Sequence, residues 1–298
     1  MAMDPSDPKF DMRAGSDAPA IVDAPTAELT RLRERLSHVR SSVYDAGTGF
    51  DAPRLSSELE ELLVSARARS DARPELRQLL ILLGMVECKR GELPKARDLL
   101  IEGLAMDAGG SADPNQLTRD HYFLASVASD LKSFQTAAEH YGKAAEFSTA
   151  ATDFDLNQRL GIRERHAFAL HEAQRFEEAY QVNRAVLEEG ERLFGVDDHR
   201  LSTVLVNTAQ NLYALKRLPD AESYLKRALA IAQARSDIER EQDLLYQLAV
   251  LASEQGRARE ARAFLAERVE RLEKHGPSKL KEAARRSLEH FDRHQTRA

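Results

Sequence analysis

The sequence predicts an all-α fold, a solenoid of antiparallel helix pairs. Two ladders of small residues and a recurring stop-and-restart phrase between apolar helical stretches carry that prediction. Ala96, Ala137, Ala179, Ala221 and Ala261 are separated by 41, 42, 42 and 40 residues. Gly84, Ala125, Ala167, Ala209 and Ala249 keep the same beat 12 positions earlier. A fixed period near 40 residues means that one supersecondary unit is stacked on copies of itself. Such a stack builds a binding surface rather than a catalytic pocket.

Composition agrees. Hydrophobic residues make up 42% of the 298, enough for a continuous core. The 31% of charged residues, the absence of Trp and the 10 prolines suit helices with solvated outer faces. Net charge is −6, yet residues 257–298 hold 12 Lys/Arg against 7 Asp/Glu, so the body of the chain is the acidic part. An acidic body argues against a nucleic-acid partner. The basic end reads as a solvated terminal helix. Cys88 is the only cysteine, which rules out an intrachain disulfide, and its apolar surroundings read as those of a buried, inert thiol. The first residues show no basic-then-apolar leader, and no run of 18 uncharged apolar residues occurs. The chain therefore reads as soluble and cytoplasmic, without membrane insertion.

Residues 1–25, rich in Asp, Pro, Ala and Ser, read as a disordered lead-in. From Thr26 the pattern turns helical: Leu29, Leu32, Leu36, Val39 and Val43 recur at spacings of three and four. The stretch from Gly47 to Pro53 breaks this helix, and a second follows through Leu55, Leu59, Leu62, Leu63 and Ala66. Residues 26–70 thus form a helix pair without the small-residue ladder, a degenerate capping unit. Residues 71–276 hold five repeats, each helix, short turn, helix. In the first, Lys89-Arg90-Gly91 gives a basic last turn and then Gly, a helix stop. Pro94 suits the first turn of the next helix, where a missing N–H costs nothing. The fourth repeats this grammar with Leu218-Pro219, and the fifth stops at Gly256. The small residues have a steric task, because only Gly or Ala lets the two helices of a unit cross closely. Gly276-Pro277 ends the array, and residues 277–298 read as a C-terminal capping helix with Leu280, Ala284, Leu288 and Phe291 on its inner face.

These phrases resemble the tetratricopeptide repeat family. Leu83-Gly84, Gly91, Leu93, Ala96, Leu100 and Gly103 match its motif in order, and so do Leu124-Ala125, Phe134, Ala137, Tyr141 and Ala144. The third unit keeps Ala167, Phe176 and Ala179 but has Asn183 where a bulky apolar residue is expected. The fourth and fifth units keep Ala209, Leu218, Ala221, Leu225 and Ala228, then Leu248-Ala249, Gly256, Ala261 and Leu265. The long period, with Glu191 to His199 bridging two units, resembles the longer-helix subclass typified by kinesin light chains. The resemblance spans roughly residues 70–275 and implies a right-handed α-solenoid, a tetratricopeptide-like superhelix.

Signatures of chemistry are missing. There is no G-x-x-x-x-G-K-[ST], no G-x-G-x-x-G, no G-x-S-x-G and no C-x-x-C. His290 and His294 share a helix face at i, i+4 but lack the Glu of H-E-x-x-H, and His166 and His171 do not share a face well. The expectation is no catalytic residue, no metal and no cofactor, hence not an enzyme.

The resemblance implies that the first helix of each unit lines a concave face. Carried over by position, the stripes hold Gln78, Ile81, Met85 and Cys88, then Arg119, Tyr122, Ser126 and Ser129. Arg165, Phe168 and Glu172 follow, then Asn207, Gln210 and Tyr213, then Tyr246, Val250 and Ser253. Of these, Arg119, Tyr122, Arg165, Phe168, Asn207, Gln210, Tyr213 and Tyr246 are the candidate groove residues, since aromatics, Arg and amides anchor a partner. The Lys/Asn clamp with which some family members grip chaperone tails is missing, as Ile81, Met85, Ser126, Glu164 and Phe168 stand in its place. The implied function is a non-enzymatic adaptor or scaffold that binds another protein or a peptide. A ligand-responsive regulator and a dedicated chaperone or inhibitor of one partner stay open, as does a homodimer formed through the terminal helices.

Overall fold

The computed structural model describes residues 27–44, 50–106 and 113–295. The expected lead-in, residues 1–25, lies outside the described residues, as do the glycines at 47 and 49 of the first predicted break. The described residues form thirteen α-helices and one short 3-10 turn. In chain order the helices are α1 (Ala27–Tyr44), α2 (Ala52–Arg67), α3 (Arg73–Lys89), α4 (Leu93–Ala105), α5 (Pro114–Asp130), α6 (Phe134–Ser148) and α7 (Leu156–Glu172). They continue with α8 (Phe176–Phe194), the 3-10 turn His199–Leu201, α9 (Ser202–Ala214), α10 (Leu218–Ala234), α11 (Ile238–Glu254), α12 (Ala258–His275) and α13 (Ser278–Gln295). The fold is that of an all-α helical solenoid. Packing parts the chain within α7 into two compact units, one through Ala169 and one from Leu170.

In the first unit α3 is the centre. Its run Leu79, Leu80, Leu82, Leu83 and Val86 is buried all round, against Leu32, Leu36 and Val39 of α1, Leu59 and Leu62 of α2, and Ala96 and Leu100 of α4. The two small-residue ladders meet here as expected. A Cβ added to Gly84 would stand 2.8 Å from Leu100 Cγ and 3.2 Å from the Ala96 carbonyl oxygen. Charge is carried into this core as well. Glu87 is fully buried, and its carboxylate accepts from Ser56 Oγ at 2.5 Å, Arg90 Nη1 at 3.0 Å and Lys95 Nζ at 3.2 Å. Burial pushes its pKa up, but Ser56, Lys95 and Arg90 together outweigh that and hold it below the usual carboxylate range. Cys88, expected to be buried, is half-buried at the edge of this cluster, and desolvation raises its thiol pKa.

The second unit repeats the arrangement with α9 on α10 and α11 on α12. Gly195, at φ +89°, ends α8, and Asp198 starts the 3-10 turn by accepting from Arg200 N at 2.9 Å. Gly190 leaves room for Leu201, whose methyl would lie 2.7 Å from an added Cβ. The last helix, α13, lays Ala284 against α12 and is pinned by Arg262–Asp292 at 2.9 Å and by Arg285–Glu273.

The turn inside each repeat has one geometry. Gly91, Lys132, Gln174, Lys216 and Gly256 all have φ between +57° and +83°, and they fall on the beat of the alanine ladder. The residue after each donates its N–H to a carbonyl five positions back, as from Glu92 to Glu87 at 2.9 Å and from Ser133 to Ala128 at 2.8 Å. This is the left-handed stop that closes a helix by satisfying its last carbonyls. Gly marks it in the first and fifth repeats only. In the other three, Lys or Gln takes a conformation that disfavours any Cβ.

Among the described residues no helix is long and apolar enough to cross a membrane. No group of three or more His, Cys, Asp or Glu among them is placed to hold a metal ion.

Candidate functional site

The predicted groove residues fall on the first helices of the repeats, in two groups that belong to separate units. In the first unit α5 supplies Arg119 and Tyr122, and α7 supplies Arg165 and Phe168. Phe168 is 49% exposed, large for a phenyl ring, and the Phe134 ring meets it edge-on at 6.4 Å and 87°. Phe134 is the first residue of α6, so the turn at Lys132 sets the support under Phe168. Arg165, one helical turn earlier on α7, is exposed. Tyr122 is half-buried with its ring edge-on to Tyr141 at 5.3 Å. Tyr141 is buried, and desolvation pushes its hydroxyl up to about 12. It therefore stays protonated at every physiological pH.

Arg119 does not present an open side chain. It is 4% exposed, paired to Asp153, with its guanidinium 5.6 Å from the centre of the Phe154 ring. The reason is the loop after α6, which brings Asp153 and Phe154 back over α5. Ile81, Met85 and Ser126 are buried as well. The exposed part of this face thus narrows to Arg165 and Phe168, with Tyr122 half-buried.

In the second unit α9 supplies Asn207, Gln210 and Tyr213, and α11 supplies Tyr246. α9 has no charged residue along its whole length, and Gln210 is exposed on it while Asn207 is half-buried. Tyr213 donates its hydroxyl to Glu254 Oε1, and that hydrogen bond raises the tyrosine pKa. Tyr246 is 45% exposed and lies over the Arg268 guanidinium at 5.0 Å. Arg268 is itself buried, with Nε and Nη2 both donating to Gln242 Oε1 at 3.1 and 2.8 Å. Desolvation lowers its pKa, and the aromatic face above it offsets part of that cost. At the start of this unit His171 makes a 2.6 Å contact with Asn211 Oδ1 and meets the Phe176 ring edge-on.

Sequence reasoning missed Glu254 and Arg268, which orient the two tyrosines. A signal existed for the first. Glu254 lies 41 residues after Tyr213, one position past its repeat equivalent Ser253, so a search near the repeat period reaches it. Arg268 reaches in from a second helix, and no spacing rule points to it.

Against known proteins, a tetratricopeptide repeat family model matches residues 158–234, which covers most of α7 through α10. No curated protein matches the chain. Among solved structures, BtubC (BKLC) from P. vanneervenii is 22% identical, with 83% of this chain and 91% of that one covered at a TM-score of 0.53. The nearly identical TPR-like repeats of a Podosopora anserina protein described as a kinesin light chain are 17% identical, over 71% of this chain and 99% of that one, at 0.52. The apo form of RapI is 16% identical, over 71% and 82%, at 0.53. At these identities the likeness is one of fold. Repeat period, left-handed turn and small-residue crossing agree with that match, so the chain has the fold of a tetratricopeptide-like helical repeat protein, and residues 158–234 match the family itself.

Proposed function

We propose that the chain is a non-catalytic interaction scaffold whose first helices take up a peptide or an element of another protein. The observation that carries this reading is the exposure of large aromatic side chains on those helices, each held by a neighbour. Phe168 is braced by Phe134 and flanked by Arg165 in one unit, and Tyr246 is seated on Arg268 in the other. A held, exposed aromatic costs little entropy on binding and gives a partner a fixed surface, which is why such residues dominate interface energetics. On the second unit, the uncharged amides Asn207 and Gln210 can satisfy the backbone groups of an extended segment.

The test is quantitative capture from native extract, followed by calorimetry with the captured protein. Arg165→Ala/Phe168→Ala and Tyr213→Ala/Tyr246→Ala are compared with the parent chain. A binding face loses about 1–2 kcal/mol per anchor, roughly tenfold in Kd for each. Unchanged affinity in both double variants, with circular dichroism intact, would remove these faces from consideration.

A further inference from the structure

Inside the first unit two histidines meet where neither sequence motif nor binding face requires them. His121 of α5 is 7% exposed, and its Nδ1 lies 2.8 Å from Nδ1 of half-buried His140 of α6. The ring centroids are 5.0 Å apart and the planes differ by 25°. With the nitrogens that close and the centroids that far, the rings meet edge to edge, each Nδ1 pointing at the other. On its other side His121 lies nearly parallel to the Phe147 ring, at 5.5 Å and 15°. The pair is therefore an in-plane N–H···N hydrogen bond between two neutral imidazoles. One ring donates from Nδ1 and the other accepts there and carries its proton on Nε2.

Proton count decides what this contact tolerates. A first added proton can go to the free nitrogen of the donor ring and leave the bond intact. A second must go to the accepting nitrogen, and two N–H groups would then face each other at hydrogen-bond distance. The surroundings disfavour either proton. Burial is the main cause on both rings, and Lys143 of α6 adds to it. Arg77 of α3 also acts on His121, although it is paired with Asp120 at 2.6 Å, while Glu139 of α6 acts the other way on His140. Of the charged groups on α4, the remaining neighbour of α5, Arg97 is paired with Asp98 and Glu102 with Arg67. His166 of α7 lies against Gly142, two residues beyond His140.

We propose that the His121–His140 contact is an acid-operated latch on the α5–α6 hairpin, closed while both imidazoles are neutral and released by uptake of two protons. Burial pushes His121 down to about 3 and His140 down to about 4 in the closed hairpin, whereas an opened hairpin returns both to the ordinary value of 6.5. The open form thus binds more protons than the closed form between those limits, so closure weakens as pH falls below about 6.5. Two protons give a steepness of up to roughly a hundredfold in the opening equilibrium per pH unit. The latch does not rest on the binding-face reading, although α5 also carries Tyr122.

The experiment uses the full chain. Imidazole resonances are followed by NMR from pH 7.5 to 4.5, and exchange of α5 and α6 amides is measured over the same range and corrected for intrinsic rates. Two rings should fail to titrate in the folded protein, and α5–α6 opening should rise with a slope near two protons. His140→Asn keeps a neutral hydrogen-bonding group, and His121→Phe keeps the aromatic contact with Phe147. Either should cut the slope to about one proton, or tenfold per pH unit, or less. Two rings that titrate near 6.5 in the intact protein would overturn the latch. So would a His140→Asn chain that keeps the parent slope.

Discussion

The first and second repeats build the same hairpin by different means. In α3–α4 the helices close on backbone proximity: Gly84 sits against Leu100 and Ala96, and Gly103 leaves room for Leu80 and Ile81. The turn between them is a glycine. In α5–α6 Ala125 and Ala137 take the ladder positions, and side chains with polar edges do the joining, through Tyr122 on Tyr141 and His121 on His140. The turn there is Lys132 in a left-handed conformation. The first hairpin has little spare volume, and its own buried carboxylate, Glu87 bonded to Lys95, is held below the usual carboxylate range. The second accepts larger ladder residues and in exchange depends on protonation. One backbone arrangement can thus be made either insensitive or sensitive to conditions by the side chains at the crossing.

The largest break in this comparison is removal of the knob on which the first crossing closes. Leu100 is fully buried, so Leu100→Ala should cost about 2–5 kcal/mol in chemical denaturation, as a lost leucine side chain leaves a cavity that the rigid crossing cannot collapse. The loss should be equal at pH 7 and pH 5, since Glu87, the buried carboxylate of this hairpin, is held below the usual range and stays charged at both. A loss that grew on acidification would show that the two hairpins do not differ as described.

A smaller effect, of opposite steric sense, comes from filling the crossing. Gly84→Ala adds a carbon 2.8 Å from Leu100 Cγ, and also 3.2 Å from a carbonyl oxygen that cannot rotate away. Overpacking of this kind costs about 1–3 kcal/mol, against about 1 kcal/mol returned by the better helix propensity of Ala. Net destabilisation of roughly 1 kcal/mol follows from those two magnitudes. Combined with Leu100→Ala the penalty should shrink, because the closest clash partner is gone and only the 3.2 Å approach to the Ala96 carbonyl remains; a double-mutant cycle measures this. Simple additivity of the two losses would mean that Gly84 is not there for closeness.

Much of the fold was legible because its information is periodic. The alanine beat located the crossings, and the apolar spacing located the helices. The faces were less legible. Exposure of Arg119 depended on whether the loop holding Asp153 and Phe154 returns over α5, and nothing in the helix register encodes that. Polar pairs between neighbouring repeats were readable in principle. Tyr213–Glu254, Arg77–Asp120 and Arg33–Glu75 are 41, 43 and 42 residues apart, so each spans about one repeat period without joining strictly equivalent positions. The His121–His140 pair lies within a single repeat, 19 residues apart, and follows no such rule.

The smallest effect sharpens the comparison at the turns. Gly91 and Lys132 hold the same place, at φ +83° and +57°, and donate to the same kind of helix end. Nothing lies within 4 Å of a Cβ built at Gly91, so a side chain there meets no clash and pays only for the left-handed backbone. Gly91→Lys should therefore cost about 1 kcal/mol, and Lys132→Gly should stabilise the second hairpin by up to about 1 kcal/mol. The gain is reduced by the extra freedom that glycine gives the unfolded chain, which sets its sign close to the limit of measurement. Exchange of the α6 amides offers the finer reading. Lys132→Gly should slow their opening at pH 7 without altering its dependence on pH, because the turn and the histidine contact act on the same opening through separate groups. A Lys132→Gly chain whose pH dependence also changed would tie the turn to the histidine contact and merge two devices that the structure keeps apart.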